Sequence, residues 1–297
     1  MKRILGISLL GAGLLLAILA GPAAAADKVA VAILDGQNGH DWKSTTPAMK
    51  GLLEKTDRFT VDVLTAPAAK SSKEDWEKFK PDFAKYKAIV INYCGEPWPE
   101  DLQKAFVKYV EDGGGVIFYH FAVAGFPQWA EYNKMMGMGW KDKNFGDRLA
   151  FDKDLKEVRT PKGEGPNNGH GPAHEFQITV LDKNDAITKG MPAVMPHVKD
   201  ELYGGQHGPA KDMHVLAVAW GAKEKGSFDM FEPMAWTIPF GKGRCFTLLL
   251  GHDAPAVSDP VSTAFLTRGT EWAATGEVTI PLPKDLVAAE AKKEEKK

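Results

Sequence analysis

Three histidines stand where a turn follows an apolar run: His40 in Gly39-His40-Asp41, His120 in Tyr119-His120-Phe121, and His252 in Gly251-His252-Asp253. A distant motif, Asp200-Glu201-Leu202-Tyr203, adds a carboxylate. An imidazole trades a proton near neutral pH and also ligates metals. Two chemistries follow. In the first, His120 or Glu201 removes a proton beside a sugar carbonyl while His40 or His252 stabilises the enediolate. In the second, His40, His120 and His252 with Glu201 hold zinc or a similar divalent ion. No pair has the short spacing of a local metal motif, so either chemistry depends on the fold to gather these residues. Asp41 and Asp253 adjoin two of the histidines, and Glu96 follows the third apolar run. Trp42, Trp98, Trp129 and Tyr203 could pack on the C–H faces of a sugar ring. Asp41, Trp42, Glu96, Trp98, Tyr203 and Asp253 are therefore the expected substrate contacts.

The elements that must position these residues are legible as alternating patterns. Residues 29–34, 59–64, 88–93 and 116–121 are β-branched or apolar runs. Helical spacing occupies 45–54, 74–79 and 99–111, with Pro47 expected in a first turn, where proline is tolerated. Continuous apolar strands separated by helices predict a parallel, doubly wound α/β sheet of the flavodoxin-like type. In such sheets ligands bind beyond the carboxyl ends of the strands. The loops after Leu34, Tyr93 and Phe121 therefore matter most.

The stretch from about 140 to 206 is rich in Gly, Pro, Asn and His and is expected to be an insertion bending over the sheet. It contains His170, His174 and His207, which either shape loops or face substrate; His197 and His214 serve structure or solvent. Strands return at 215–220, 234–238 and 245–250, followed by a helix over 262–274. Trp220, Trp236 and Trp272 lie inside these elements and are expected in the core. Cys94 and Cys245 both sit within strand runs, where geometry rarely suits a disulfide.

Lys2 and Arg3, the apolar run 4–20 and the small residues through Ala26 have the order of a secretory signal peptide over 1–26. A single α/β domain is expected over 27–283, followed by a charged, solvated tail at 284–297. The protein is thus expected in the periplasm or secreted, with no stable membrane insertion after cleavage. Its formal net charge of −2 gives no reason to expect a nucleic-acid partner.

Several segments together resemble the ThuA-like family, named for trehalose utilisation. They are Gly39-His40-Asp41, Asp112-Gly113-Gly114-Gly115 leading to His120, Asp200-Glu201-Leu202-Tyr203, and Trp236 with Gly241-Lys242-Gly243-Arg244 leading to Gly251-His252-Asp253. The resemblance implies a fold like that of class I glutamine amidotransferases and a link to sugar metabolism, including keto sugars. In those amidotransferases the strand after the glycine turn leads to a nucleophilic Cys on a sharp elbow; here that stretch carries His120. Without that thiolate, glutamine hydrolysis is not expected. The expected function is an isomerase, lyase or hydrolase of sugar derivatives working by histidine–carboxylate chemistry. The alternative is a non-catalytic carbohydrate-binding or envelope interaction protein.

Overall fold

A computed structural model describes residues 27–286; the expected signal segment and residues 287–297 of the expected tail lie outside them. The chain runs β1 (Val29–Asp35), α1 (Trp42–Lys55), β2 (Phe59–Thr65), α2 (Lys73–Lys78), β3 (Ala88–Ile91), α3 (Glu100–Glu111), β4 (Gly115–Tyr119) and α4 (Ala130–Met136). It continues through β5 (Arg148–Phe151), β6 (Glu157–Thr160), β7 (His174–Val180), β8 (Val194–Asp200), β9 (His214–Gly221), β10 (Met230–Phe240), β11 (Gly243–Leu248), α5 (Ala254–Ser258) and α6 (Pro260–Thr275).

Strands β2, β1, β3, β4 and β11 pair in that order, all parallel. This is the flavodoxin-like order, with its switch point between β1 and β3. The apolar runs explain it: β3 and β4 are buried along their whole length, and β1 along all but its first two residues. Strand β2 at the edge alternates between buried and exposed residues and so has only one covered face. Helix α6 is almost wholly buried and packs on β4 and β11.

Beyond β11 the sheet continues antiparallel through β10, β9, β7 and β8, while the β5–β6 hairpin joins β10 at Phe231 and Phe151. The stretch expected to bend over the sheet therefore supplies strands that extend it. Four successive reversals from β11 bring β8 back to the direction of the parallel strands. Its carboxyl end, Asp200, consequently emerges at the same edge as the ends of β1, β4 and β11. The sheet coils enough for β8 to touch α5 and α6.

Helix α1 begins at Trp42, three residues earlier than its spacing suggests, so Pro47 falls inside the helix instead of in its first turn. Pro47 and Lys43, four residues before it, are both exposed, where a missing backbone bond costs least. Cys94 and Cys245 are free thiols; Cys245 lies in β11 as expected, whereas Cys94 lies in the loop after β3 and not in the strand, which ends at Ile91. Burial pushes the Cys94 thiol up to about 11, so it stays protonated at neutral pH.

Candidate active site

Strand β4 ends at Tyr119, and His120 turns out of it with φ +43°, a left-handed conformation disfavoured by side chains. A short 3-10 turn over His120–Ala124 follows. The strand expected through Phe121 thus ends two residues earlier, and the turn that follows it presents an imidazole. His120 Nδ1 lies 2.6 Å from the Leu249 carbonyl, an acceptor that requires the proton on that nitrogen. Its Nε2 is thereby left as an acceptor. It faces the Tyr203 hydroxyl at 3.0 Å and Glu201 Oε2 at 3.6 Å.

His40 sits between β1 and α1. Asn38 accepts its backbone N–H through Oδ1, while Asn38 Nδ2 reaches the Asn92 carbonyl. Asn92 in turn donates to the hydroxyls of Thr45 and Thr46 on α1. The His40 ring stacks on Phe121 at 4.4 Å. His252 follows Gly251 after β11, with Nδ1 3.1 Å from Glu201 Oε2, and His40 Nε2 is 3.9 Å from the same oxygen. One donor atom each from His40, His120, Glu201 and His252 thus lies within 4.8 Å of all the others. His40 Nδ1, His252 Nδ1 and Glu201 Oε2 are buried and make no hydrogen bond.

Such a gathering shifts the protonation of its members. Burial, then the neighbouring His120 and His252, lowers His40 to about 4, so it is neutral at pH 7. Burial alone would raise Glu201, but His120, His252 and His170 outweigh it and hold the carboxyl at about 2. Burial, then the adjacent Glu201, pushes the Tyr203 phenol well above its ordinary value, so it remains a hydrogen-bond donor. A neutral His40 imidazole and an ionised Glu201 carboxylate are the forms a divalent cation binds.

The other expected contacts divide. Tyr203 is at the centre, on His120. Asp41 is exposed at the start of α1, and the half-buried Trp42 lies beneath the Lys43 ammonium at 5.7 Å. Four others make structural contacts of their own. Glu96 accepts the Lys70 backbone N–H, tying two loops together. Trp98 is 2% exposed and packs on Tyr93, Phe106, Phe126 and Trp129, out of a ligand's reach. Trp129 shares that buried cluster. Asp253 caps α5 by accepting the Ala256 N–H.

Of the undecided histidines, His170 reaches the site, with Nε2 3.6 Å from Glu201 Oε1. His207 is buried between the carbonyls of Gly146 and Pro166, and His174 bonds the Pro172 carbonyl; both shape loops. His214 is half-exposed beside Asp182. His197 is buried between Asp200 and Asp259 and has a structural role. The sequence reading named Asp200 only as part of its motif and gave no role to Trp140, Asn38 or Asn92. Trp140 packs 4.6 Å from Tyr203 and 5.4 Å from His170, continuing an aromatic wall away from the cluster. Beyond it lies a groove of about 480 Å³ whose lining includes Trp140, Lys141, Asp142, Asn144 and Asn168. Asn92 left one signal in the sequence, a carboxamide interrupting an apolar strand run.

Comparison with known proteins agrees with this fold. A family model described as ThuA, trehalose utilisation, matches residues 29–273. A ThuA-like protein from Parabacteroides merdae is 34% identical, with 88% of this chain and 95% of that one covered and a TM-score of 0.81. A second ThuA-like protein, from Bacteroides uniformis, shares the fold at 19% identity, with 87% and 97% covered and a TM-score of 0.57. Among curated proteins, a phosphoglycerate kinase from Mycobacterium ulcerans is 25% identical over 157 residues. That match takes in half of this chain but only 36% of the kinase, so it carries no activity across.

Proposed function

The chain belongs to the ThuA family, whose model is described as trehalose utilisation, and on that premise we propose that it is an exported enzyme acting on a sugar or keto-sugar derivative. Its active centre is His40, His120, Glu201 and His252. The observation that carries this reading is the convergence of three imidazole nitrogens and one carboxylate oxygen within 4.8 Å of one another, with His40 Nδ1, His252 Nδ1 and Glu201 Oε2 buried and without a hydrogen-bond partner. A cation among them would take up the lone pairs of these atoms. Three histidines and one carboxylate are a donor set suited to zinc or a similar divalent ion. Bound there, the ion would polarise a substrate carbonyl or hydroxyl oxygen. Asn38 and Asn92 orient His40, and the Leu249 carbonyl fixes the His120 tautomer. Trp140, half-buried beside Tyr203, gives a sugar an apolar face, and the groove it lines offers amide and carboxylate partners for hydroxyls.

One observation favours a metal-free variant of the same function. The Tyr203 hydroxyl already occupies His120 Nε2, so the two could form a proton-donating pair opposite Glu201 as base. Metal content decides between them. Purified mature protein is expected to carry about one transition-metal ion per chain, and to lose and regain turnover of a keto-glycoside panel with chelator and added zinc. Turnover indifferent to chelator, in protein free of metal, would select the metal-free variant. His120→Ala is expected to abolish turnover with the near-ultraviolet spectrum preserved. Turnover that survives the substitution would remove the cluster from the chemistry altogether.

A further inference from the structure

Asp200 is fully buried at the end of β8, and both of its oxygens are committed. Oδ1 accepts the backbone N–H of Glu201 at 2.8 Å and of His252 at 3.0 Å. Oδ2 accepts the Gly251 N–H at 2.7 Å and faces His197 Nε2 at 2.8 Å. Two members of the cluster, and the glycine that precedes one of them, therefore hang from one carboxylate. Glu201 arrives from β8 and His252 from the loop after β11, segments far apart in the chain.

The bracket is itself braced. The other ring nitrogen of His197 lies 2.9 Å from Asp259 Oδ2, and Asp259 also accepts the Val261 N–H at the start of α6. With a carboxylate on each side, the ring donates from both nitrogens and is an imidazolium. Two buried carboxylates share that one positive charge, which leaves a net negative charge beside the cluster. A core that needed only to be filled would not hold three ionised groups here.

We propose that Asp200 is the positioning residue of the active centre: its carboxylate sets the separation of Glu201 and His252, and His197 with Asp259 locks its orientation. This rests on the cluster being the active centre. All four groups facing Asp200 are donors, so a carboxamide of the same shape cannot serve. Whichever end its NH2 takes, that end meets two N–H groups.

The test compares wild type, Asp200→Asn, Asp200→Glu and His197→Gln, each as full mature protein, by titration with cobalt(II) followed in the visible spectrum. Asp200→Asn is expected to weaken cobalt binding about ten- to a hundredfold and to shift the ligand-field bands, with its near-ultraviolet spectrum intact. His197→Gln should show a smaller loss of the same kind, and it carries the test if Asp200→Asn does not fold. Wild-type affinity and bands in either folded variant would overturn the proposal. Failure of wild type to bind cobalt or zinc would instead overturn the metal reading. In that case the His252 ring ¹⁵N shifts of metal-free protein decide. They are expected to move in His197→Gln and Asp200→Asn, and unmoved ring shifts would overturn the bracket.

Discussion

At the scale of single residues, the site depends on charges held out of water. His197 is the clearest case. Burial alone would depress its pKa, but hydrogen bonds to Asp200 and Asp259 more than compensate and raise it to about 9. A folded value above the unfolded one of about 6.5 means the imidazolium stabilises the protein fully below that pH. The benefit fades as pH rises through 9. Its size is on the order of 3 kcal/mol. Denaturant midpoints of wild type are thus expected to fall between pH 7 and 10, and those of His197→Gln to change much less over that range. Parallel curves would refute this account. The sequence offered His40, His120, Glu201 and His252 because each follows an apolar run or sits in a polar motif. It could not offer Asp200, whose worth lies in backbone amides supplied by segments remote in the chain. Nor could it separate Trp98 from Trp140, since either indole could stand in a core or a cleft.

At the scale of elements, the parallel half was legible, as were the centres of the antiparallel strands β9 and β10, but the edge strand β8 was not. Strands β1, β3 and β4 announce themselves as unbroken apolar runs bounded by turns. Strand β8 reads Val-Met-Pro-His-Val-Lys-Asp, with a proline and charges, because it is the sheet's outer edge and buries only some of its residues. Strand β10 carries Pro233 and Pro239 and slips register near Pro233. The turn after β11 shows how tightly an element end can be specified. Gly251 has φ +107°, and a Cβ there would lie 1.7 Å from the Tyr119 hydroxyl, which donates to the Gly251 carbonyl. Gly251→Ala must therefore push the turn away from β4 and carry His252 with it. A loss of about 2–4 kcal/mol is expected in urea unfolding, together with weakened metal binding. Stability within 0.5 kcal/mol of wild type would show that the turn yields more readily than its contacts imply.

At the scale of the whole molecule, the aromatic residues form two separate groups. The buried cluster of Trp98, Phe106, Phe126, Trp129 and Tyr132 joins α3 and α4 to the sheet. The wall of Tyr203, Trp140 and His170 belongs to the site. Trp98→Ala is expected to cost about 3–5 kcal/mol and leave ligand affinity of the surviving folded protein unchanged. Trp140→Ala, at a half-buried position, is expected to cost less stability and to lose most carbohydrate affinity. Calorimetry on both variants checks the division, and equal effects would erase it. Among the described residues no helix is long and apolar enough to cross a membrane. Arg268 on the buried helix α6 donates to the carbonyls of Ala186, Ile187, Lys189 and Ile280, fastening the chain's late segments to its middle.

The return of β8 to the direction of the parallel strands also orders events in time. His40 can be in place once β1 and α1 have formed, but Glu201 waits for β8 to join the sheet, and both His252 and the carbonyl that holds the His120 ring wait for β11. The last strand of the chain, β11, therefore completes the centre. An ion bound as proposed would therefore be captured at the end of folding and would take no part in starting it.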